Sequence, residues 1–332
     1  MRLPALSPFV ACVLLLAACG QSPATNDGVP TTAAGATTTS TSSAPSAPEP
    51  STTTVLPTTS TSTSTTTTSM VMTGATTLSA DGAVHTTEDV PFTSSLTMDV
   101  STPTAPGAYP VVVLFHGGGW VGGHPDEIAP LAEAIAAAGA VVFNAPYRLA
   151  LRGGGYPMTF EDASCAVRFA RHYAAEYGGD PGFITVVGYS AGAHIGAITA
   201  LTGDSFNGDC MVESGSALPD GFVGVAGPYD TDLLDPLMSV FFGTDRAKDP
   251  APWEDGNPHT HVGENPNLIV RLIQGDADPL VPVGFAIAFD DDLVEAGYNV
   301  ELTIIKEGTH GTVVDPRSDG IVAIEAVQAI SG

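Results

Sequence analysis

The sequence predicts an α/β fold with a mostly parallel central sheet and helices on both faces. Three observations predict it. Short apolar runs rich in β-branched residues alternate with segments of helical spacing along the chain. Those runs are continuous rather than alternating, as in Val111-Val112-Val113-Leu114-Phe115, which marks strands buried on both faces. The residue types that carry chemistry fall just after the strands, at the edge where open α/β sheets hold ligands.

The elements follow in order. From about Val84 to Val100, through Phe92 and Leu96, the pattern is strand-like and predicts antiparallel edge strands. Pro110 to Phe115 is the buried run, bounded by Pro and Gly. Ile128, Leu131 and Ile135 share one helical face over 125–138, and Gly139 can end that helix. A strand is expected over 140–144. Phe160, Ala163, Val167 and Ala170 form the apolar stripe of a helix over 159–177. A strand over 183–187 and a helix over 191–201 come next. Strands are then expected over 222–226, 268–273 and 300–305, with helices over 283–296 and 321–330. One domain, 81–332, holds all of them.

The preceding residues read differently. Arg2 stands before a short apolar run, Phe9 to Ala18, too short to span a bilayer comfortably but suited to a signal peptide over 1–18. Leu16-Ala17-Ala18-Cys19 resembles the bacterial lipobox. The resemblance implies cleavage before Cys19 and lipidation of its thiol, hence a membrane anchor on the outer face of the cell; ordinary secretion is the alternative. Residues 19–80 are dominated by Thr, Ser, Pro and Ala without hydrophobic periodicity. Such a segment buries too little apolar surface to offset its ordering entropy and is expected to be a disordered linker. A flexible chain of that length spans on the order of 40 Å.

Charge narrows the partners. The formal net charge is −26, and of the acids only Asp27 and Glu49 precede Asp81. A surface so acidic repels nucleic acid and anionic headgroups. Four cysteines are present, and Cys165 and Cys210 are the two in the folded part. An even pair in an exported domain predicts a disulfide between them, with two buried thiols as the alternative. Neither has zinc-type spacing, and no metal, cofactor or obligate protein partner is inferred.

Gly188-Tyr189-Ser190-Ala191-Gly192 is a G-x-S-x-G directly between a strand and a helix, the context in which that motif presents a nucleophilic serine on a strained turn. His116-Gly117-Gly118-Gly119-Trp120 follows the strand ending at Phe115. Its glycines allow backbone N–H groups to approach an oxyanion. Gly117 and Gly118, with Ala191 beside the serine, are the expected donors, and His116 is expected to anchor the loop. A serine needs a general base, and His310 is the histidine that follows the last strand. Asp278, after the strand at 268–273, is the expected acid; Asp276 is expected to bond loop amides. His194 is read as packing or surface. Trp120 and Tyr229 are the candidate substrate-binding residues. Tyr229 opens an irregular stretch with Leu237, Met238, Phe241, Phe242 and Trp253, read either as a pocket wall or as ordinary core beneath a loop.

With these motifs in place, the chain from about Thr86 resembles the α/β-hydrolase superfamily, in the esterase/lipase group that carries HGGG. Pro146-Tyr147-Arg148-Leu149 and Gly275 to Pro282 match two further segments of that group; Gln274 stands where His is common. The resemblance implies hydrolysis of small or medium carboxylic esters through an acyl-enzyme, with Ser190, Asp278 and His310 as the triad. A peptidase or amidase with the same triad, and a catalytically silent surface-anchored binding protein, are the alternatives.

Overall fold

The structure, a computed structural model, describes residues 82–331. The expected signal segment 1–18, its Cys19 and the linker 19–80 lie outside the described residues. Strands β1 (Val84–Pro91), β2 (Thr97–Pro103) and β3 (Tyr109–Phe115) precede helix α1 (Ala129–Ala137) and β4 (Val141–Ala145). Helix α2 (Met158–Tyr173), β5 (Gly179–Tyr189), α3 (Ala191–Thr202) and β6 (Gly221–Val225) follow. Two short helices, α4 (Leu237–Phe242) and α5 (Ala251–Asp255), lead to β7 (Ile269–Gly275), α6 (Gly284–Glu295), β8 (Asn299–Ile305) and α7 (Ile321–Ser331).

The strands form one sheet in the order β1-β2-β4-β3-β5-β6-β7-β8. The β1–β2 and β2–β4 pairs are antiparallel and the remaining pairs parallel, so the nonparallel part is confined to one edge, as the sequence predicts. Side chains alternate across β3. Val111, Val113 and Phe115 join one core with residues of α2, α3 and α6; Val112 and Leu114 join a second with residues of α1 and α7. Burial on both faces is why these strands read as unbroken apolar runs.

Helix ends differ modestly from expectation. Pro125–Glu127 forms a 3₁₀ turn and the α-helix begins at Ala129, with Pro130 in its first turn, where its missing N–H costs nothing. Helix α2 gives way to a 3₁₀ turn over Ala174–Tyr177 and stops at Gly178, which takes φ 81°. Cys165 on α2 is disulfide-bonded to Cys210, with Cα atoms 5.0 Å apart. Cys210 also bridges to Thr93, so the loop around it is tied to both the N-terminal hairpin and α2. No helix among the described residues is long and apolar enough to cross a membrane.

Candidate active site

The turn between β5 and α3 is too tight for a side chain at either of its glycines. A Cβ on Gly188 would lie 2.3 Å from the Gly192 carbonyl oxygen, and one on Gly192 would lie 2.3 Å from those of Phe115 and His116. Only glycine fits either place. Between them Ser190 takes φ 54° and ψ −120°, a strained conformation for a residue with a side chain. Its N–H donates to the Val225 carbonyl at 2.9 Å, which fastens the turn to the end of β6. Helix α3 starts at Ala191, whose N–H has no intrahelical acceptor, so the positive end of the helix dipole lies at the turn.

The structure brings Ser190, His310 and Asp278 into one hydrogen-bonded chain. His310 Nε2 lies 3.0 Å from Ser190 Oγ, and His310 Nδ1 lies 2.7 Å from Asp278 Oδ2. With an ionised Asp278, Nδ1–H donates to the carboxylate and Nε2 is left to accept from the serine hydroxyl. Asp278 is well supported: Oδ1 accepts from the Leu280 and Val281 N–H groups at 2.8 and 2.9 Å, and Oδ2 accepts from Gln274 Nε2 at 3.1 Å. Burial opposes its ionisation, but the His310 imidazole and the two backbone donors outweigh that and hold its pKa below the ordinary carboxylate value. Asp276 takes the other role expected of it, accepting from the Glu307 N–H at 2.6 Å and so joining the loops after β7 and β8. Tyr189 donates its hydroxyl to the His310 carbonyl at 3.0 Å.

The glycine loop after β3 lies directly over the serine. Gly117 is close enough that a Cβ there would meet Ser190 Cβ at 3.1 Å. Gly118 takes φ 121°, and its carbonyl accepts from the Gly122 N–H at 3.0 Å. The Gly117 and Gly118 N–H groups donate to no acceptor among the described residues, which leaves them free for a ligand. His116 is buried and stacks on Tyr147 with ring centroids 4.3 Å apart; its Nδ1–H donates to the Gly117 carbonyl at 2.6 Å. Burial pushes its pKa down to about 4, so it is a neutral brace for the loop. Trp120 donates its indole N–H to His194 Nδ1 at 3.1 Å, and His194 Nε2–H donates to the Gly256 carbonyl at 2.8 Å. His194 too is pushed down to about 4 by burial.

These elements enclose a cavity of about 410 Å³. Gly117, Gly118, Trp120, Ser190 and His310 line it, as do Glu127, Ile128, Tyr189, Pro228, Leu280, Val281 and Val314. Tyr229 is a correction. It is fully buried and stacks on Phe289 at 4.6 Å, beneath rather than at the cavity, and its neighbour Pro228 is the residue that reaches the wall. Leu237, Met238, Phe241, Phe242 and Trp253 are likewise buried, so the core reading of that stretch holds. His259 and His261 pair with Asp292 and Glu264. Sequence reasoning missed Gly119, Glu127, Ile128, Pro228, Val314, Leu280 and Val281 on the cavity wall. The last two were in view as part of the Asp278 segment, where their amides bond the carboxylate and the residues themselves line the cavity.

A family model described as BD-FAE matches residues 98–293. Esterase LipQ of Mycobacterium tuberculosis is 30% identical over 202 residues, covering 57% of this chain and 46% of that protein. Carboxylesterase NlhH of the same organism is 32% identical over 228 residues, covering 61% of this chain and 66% of that one. The chain thus spans between about half and two thirds of these relatives. Among solved structures, butyrate-bound esterase Est2 of Thermogutta terrifontis superposes with a TM-score of 0.61 at 22% identity, over 74% of this chain and 91% of that one. That likeness shows a shared fold.

Proposed function

The chain belongs to the BD-FAE family and has the α/β-hydrolase fold, and from that premise we propose that it is a serine hydrolase cleaving small or medium carboxylic esters through an acyl-enzyme. The observation that carries the proposal is the chain of contacts from Asp278 through His310 to Ser190 beneath the free glycine amides. The names of the relatives, an esterase and a carboxylesterase, support it.

The reaction follows from the geometry. Ser190 Oγ attacks the acyl carbonyl while His310 Nε2 takes its proton. Asp278 holds the imidazole in the required tautomer and stabilises the imidazolium without taking its proton. The oxyanion is received by the N–H groups of Gly117, Gly118 and Ala191, fixed in place before the charge appears. Collapse expels the alcohol, protonated by His310. Water then enters, His310 removes its proton, and the acid departs as Ser190 recovers its hydrogen. The cavity is large enough for a short or medium acyl group beside the alcohol. Trp120 shapes its wall, with its indole N–H committed to His194.

A fluorophosphonate is expected to label Ser190 and to abolish hydrolysis of p-nitrophenyl acetate, and Ser190→Ala is expected to lose both, with turnover down by a factor on the order of 10⁴ or more and folding intact. A Ser190→Ala protein that hydrolyses the ester as well as wild type would overturn the assignment.

The reading extends to the N-terminus. A signal peptide over 1–18, acylation of Cys19 and a linker over 19–80 would hold the catalytic body away from the outer face of a bacterial membrane. Cys19→Ala is then expected to abolish incorporation of a labelled fatty acid into the chain in a bacterial host; undiminished incorporation would exclude the anchor.

A further inference from the structure

Glu127 stands on the wall of the catalytic cavity, and nothing in the proposed reaction uses it. It closes the 3₁₀ turn Pro125–Glu127, and its own N–H donates to the His124 carbonyl, so the backbone that carries it is fixed. Among the described residues its carboxylate joins no ion pair and accepts no hydrogen bond. Among the described residues it is the only carboxylate lining the cavity, and none of them puts a Lys or Arg on its wall. The adjoining hollow holds Arg317, whose guanidinium is already paired with Asp315. Its charge reaches into the site: the Tyr189 hydroxyl, pushed up chiefly by burial, is raised further by Asp278 and Glu127.

We propose that Glu127 is a charge-selecting residue, which makes the cavity a site for esters that are neutral or carry a cationic group such as an ammonium, and disfavours esters that carry a carboxylate. The inference rests on the ester-hydrolase reading. A substituent bound in a cavity of about 410 Å³ shares its wall with the carboxylate, and over separations below a Debye length of about 10 Å salt screens such a pair only in part. The chain's net charge of −26 acts in the same direction at long range. Glu127 sets the selectivity inside the cavity, where a single substitution can test it.

The test uses acetates of choline, 3,3-dimethylbutanol and 4-hydroxybutanoate, which share the acyl group and place a cation, a neutral group or an anion on an alcohol of similar size. kcat/KM is measured on the protein and on Glu127→Gln and Glu127→Lys, and each charged ester is divided by the neutral one, which cancels differences in stability or general activity between variants. Glu127→Gln is expected to lower the choline ratio and raise the carboxylate ratio, each by about three- to tenfold, and Glu127→Lys to shift both further. Both ratios unchanged in both variants, with the neutral ester still turned over, would overturn the role of Glu127 and leave the hydrolase reading standing. No turnover of any ester together with no fluorophosphonate labelling of Ser190 would overturn the hydrolase reading and this inference with it.

Discussion

In the proposed reaction Asp278 governs which nitrogen of His310 carries the proton. Its carboxylate faces His310 on one side and the Leu280 and Val281 amides on the other, and its side chain is shut off from solvent. Asp278→Asn keeps the size but offers an N–H to His310 Nδ1, which turns the imidazole to the tautomer that cannot accept from Ser190. Turnover is expected to fall by a factor on the order of 10³ to 10⁴, measured as kcat on p-nitrophenyl acetate, and a double variant with Ser190→Ala is expected to fall no further than Ser190→Ala alone. The identities of Ser190, Asp278 and His310 are legible in the sequence because each sits in a short motif that directly follows a strand. Tyr229 and Glu127 are not legible in that way. An aromatic residue in an irregular stretch announces burial but not the side of the chain it fills, and a carboxylate at the start of a helix looks like any solvated one until the cavity beside it is seen.

The sheet is the level at which the sequence is most readable. Runs such as Val111 to Phe115 carry their two-sided burial in their composition, and the order of strands and helices survives intact in the structure. The segment between β6 and β7 is opaque by comparison, since α4 and α5 are too short to display a period and are held by contacts such as Trp253 with Phe242. The disulfide is an element-level brace whose weight can be measured. It closes a loop of 45 residues, and in the chain-entropy account its removal costs about 4 kcal/mol. The Cys165→Ala, Cys210→Ala double variant is expected to unfold at clearly lower urea concentration than the oxidised protein, with the reduced wild type moving the same way. A midpoint that does not move would show that the loop around Cys210 is held without it.

For the molecule as a whole, acid is the condition its buried histidines resist least. His116 and His194 are both pushed down to about 4 from an ordinary 6.5. Between those values the unfolded chain binds a proton at each site that the folded chain refuses. Their contribution is therefore complete above about pH 6.5 and is lost as the pH falls toward 4, on the order of 3 kcal/mol for each histidine. Asp278, held low in the folded state, loses its contribution in the same direction at lower pH still. Urea midpoints are expected to drop between pH 7 and pH 4.5; equal midpoints would contradict the neutral burial of the two rings.

The strand order also divides the site unevenly. Ser190 rises from β5, flanked by β3 and β6 in the middle of the sheet, whereas His310 hangs from the loop after β8, the outermost strand, none of whose residues is fully buried. The Tyr189 hydroxyl on the His310 carbonyl is a mooring line from the keel of the sheet to its gunwale. Loosening of that margin is expected to part the imidazole from the serine before the hull opens, so hydrolysis should be lost ahead of the circular dichroism.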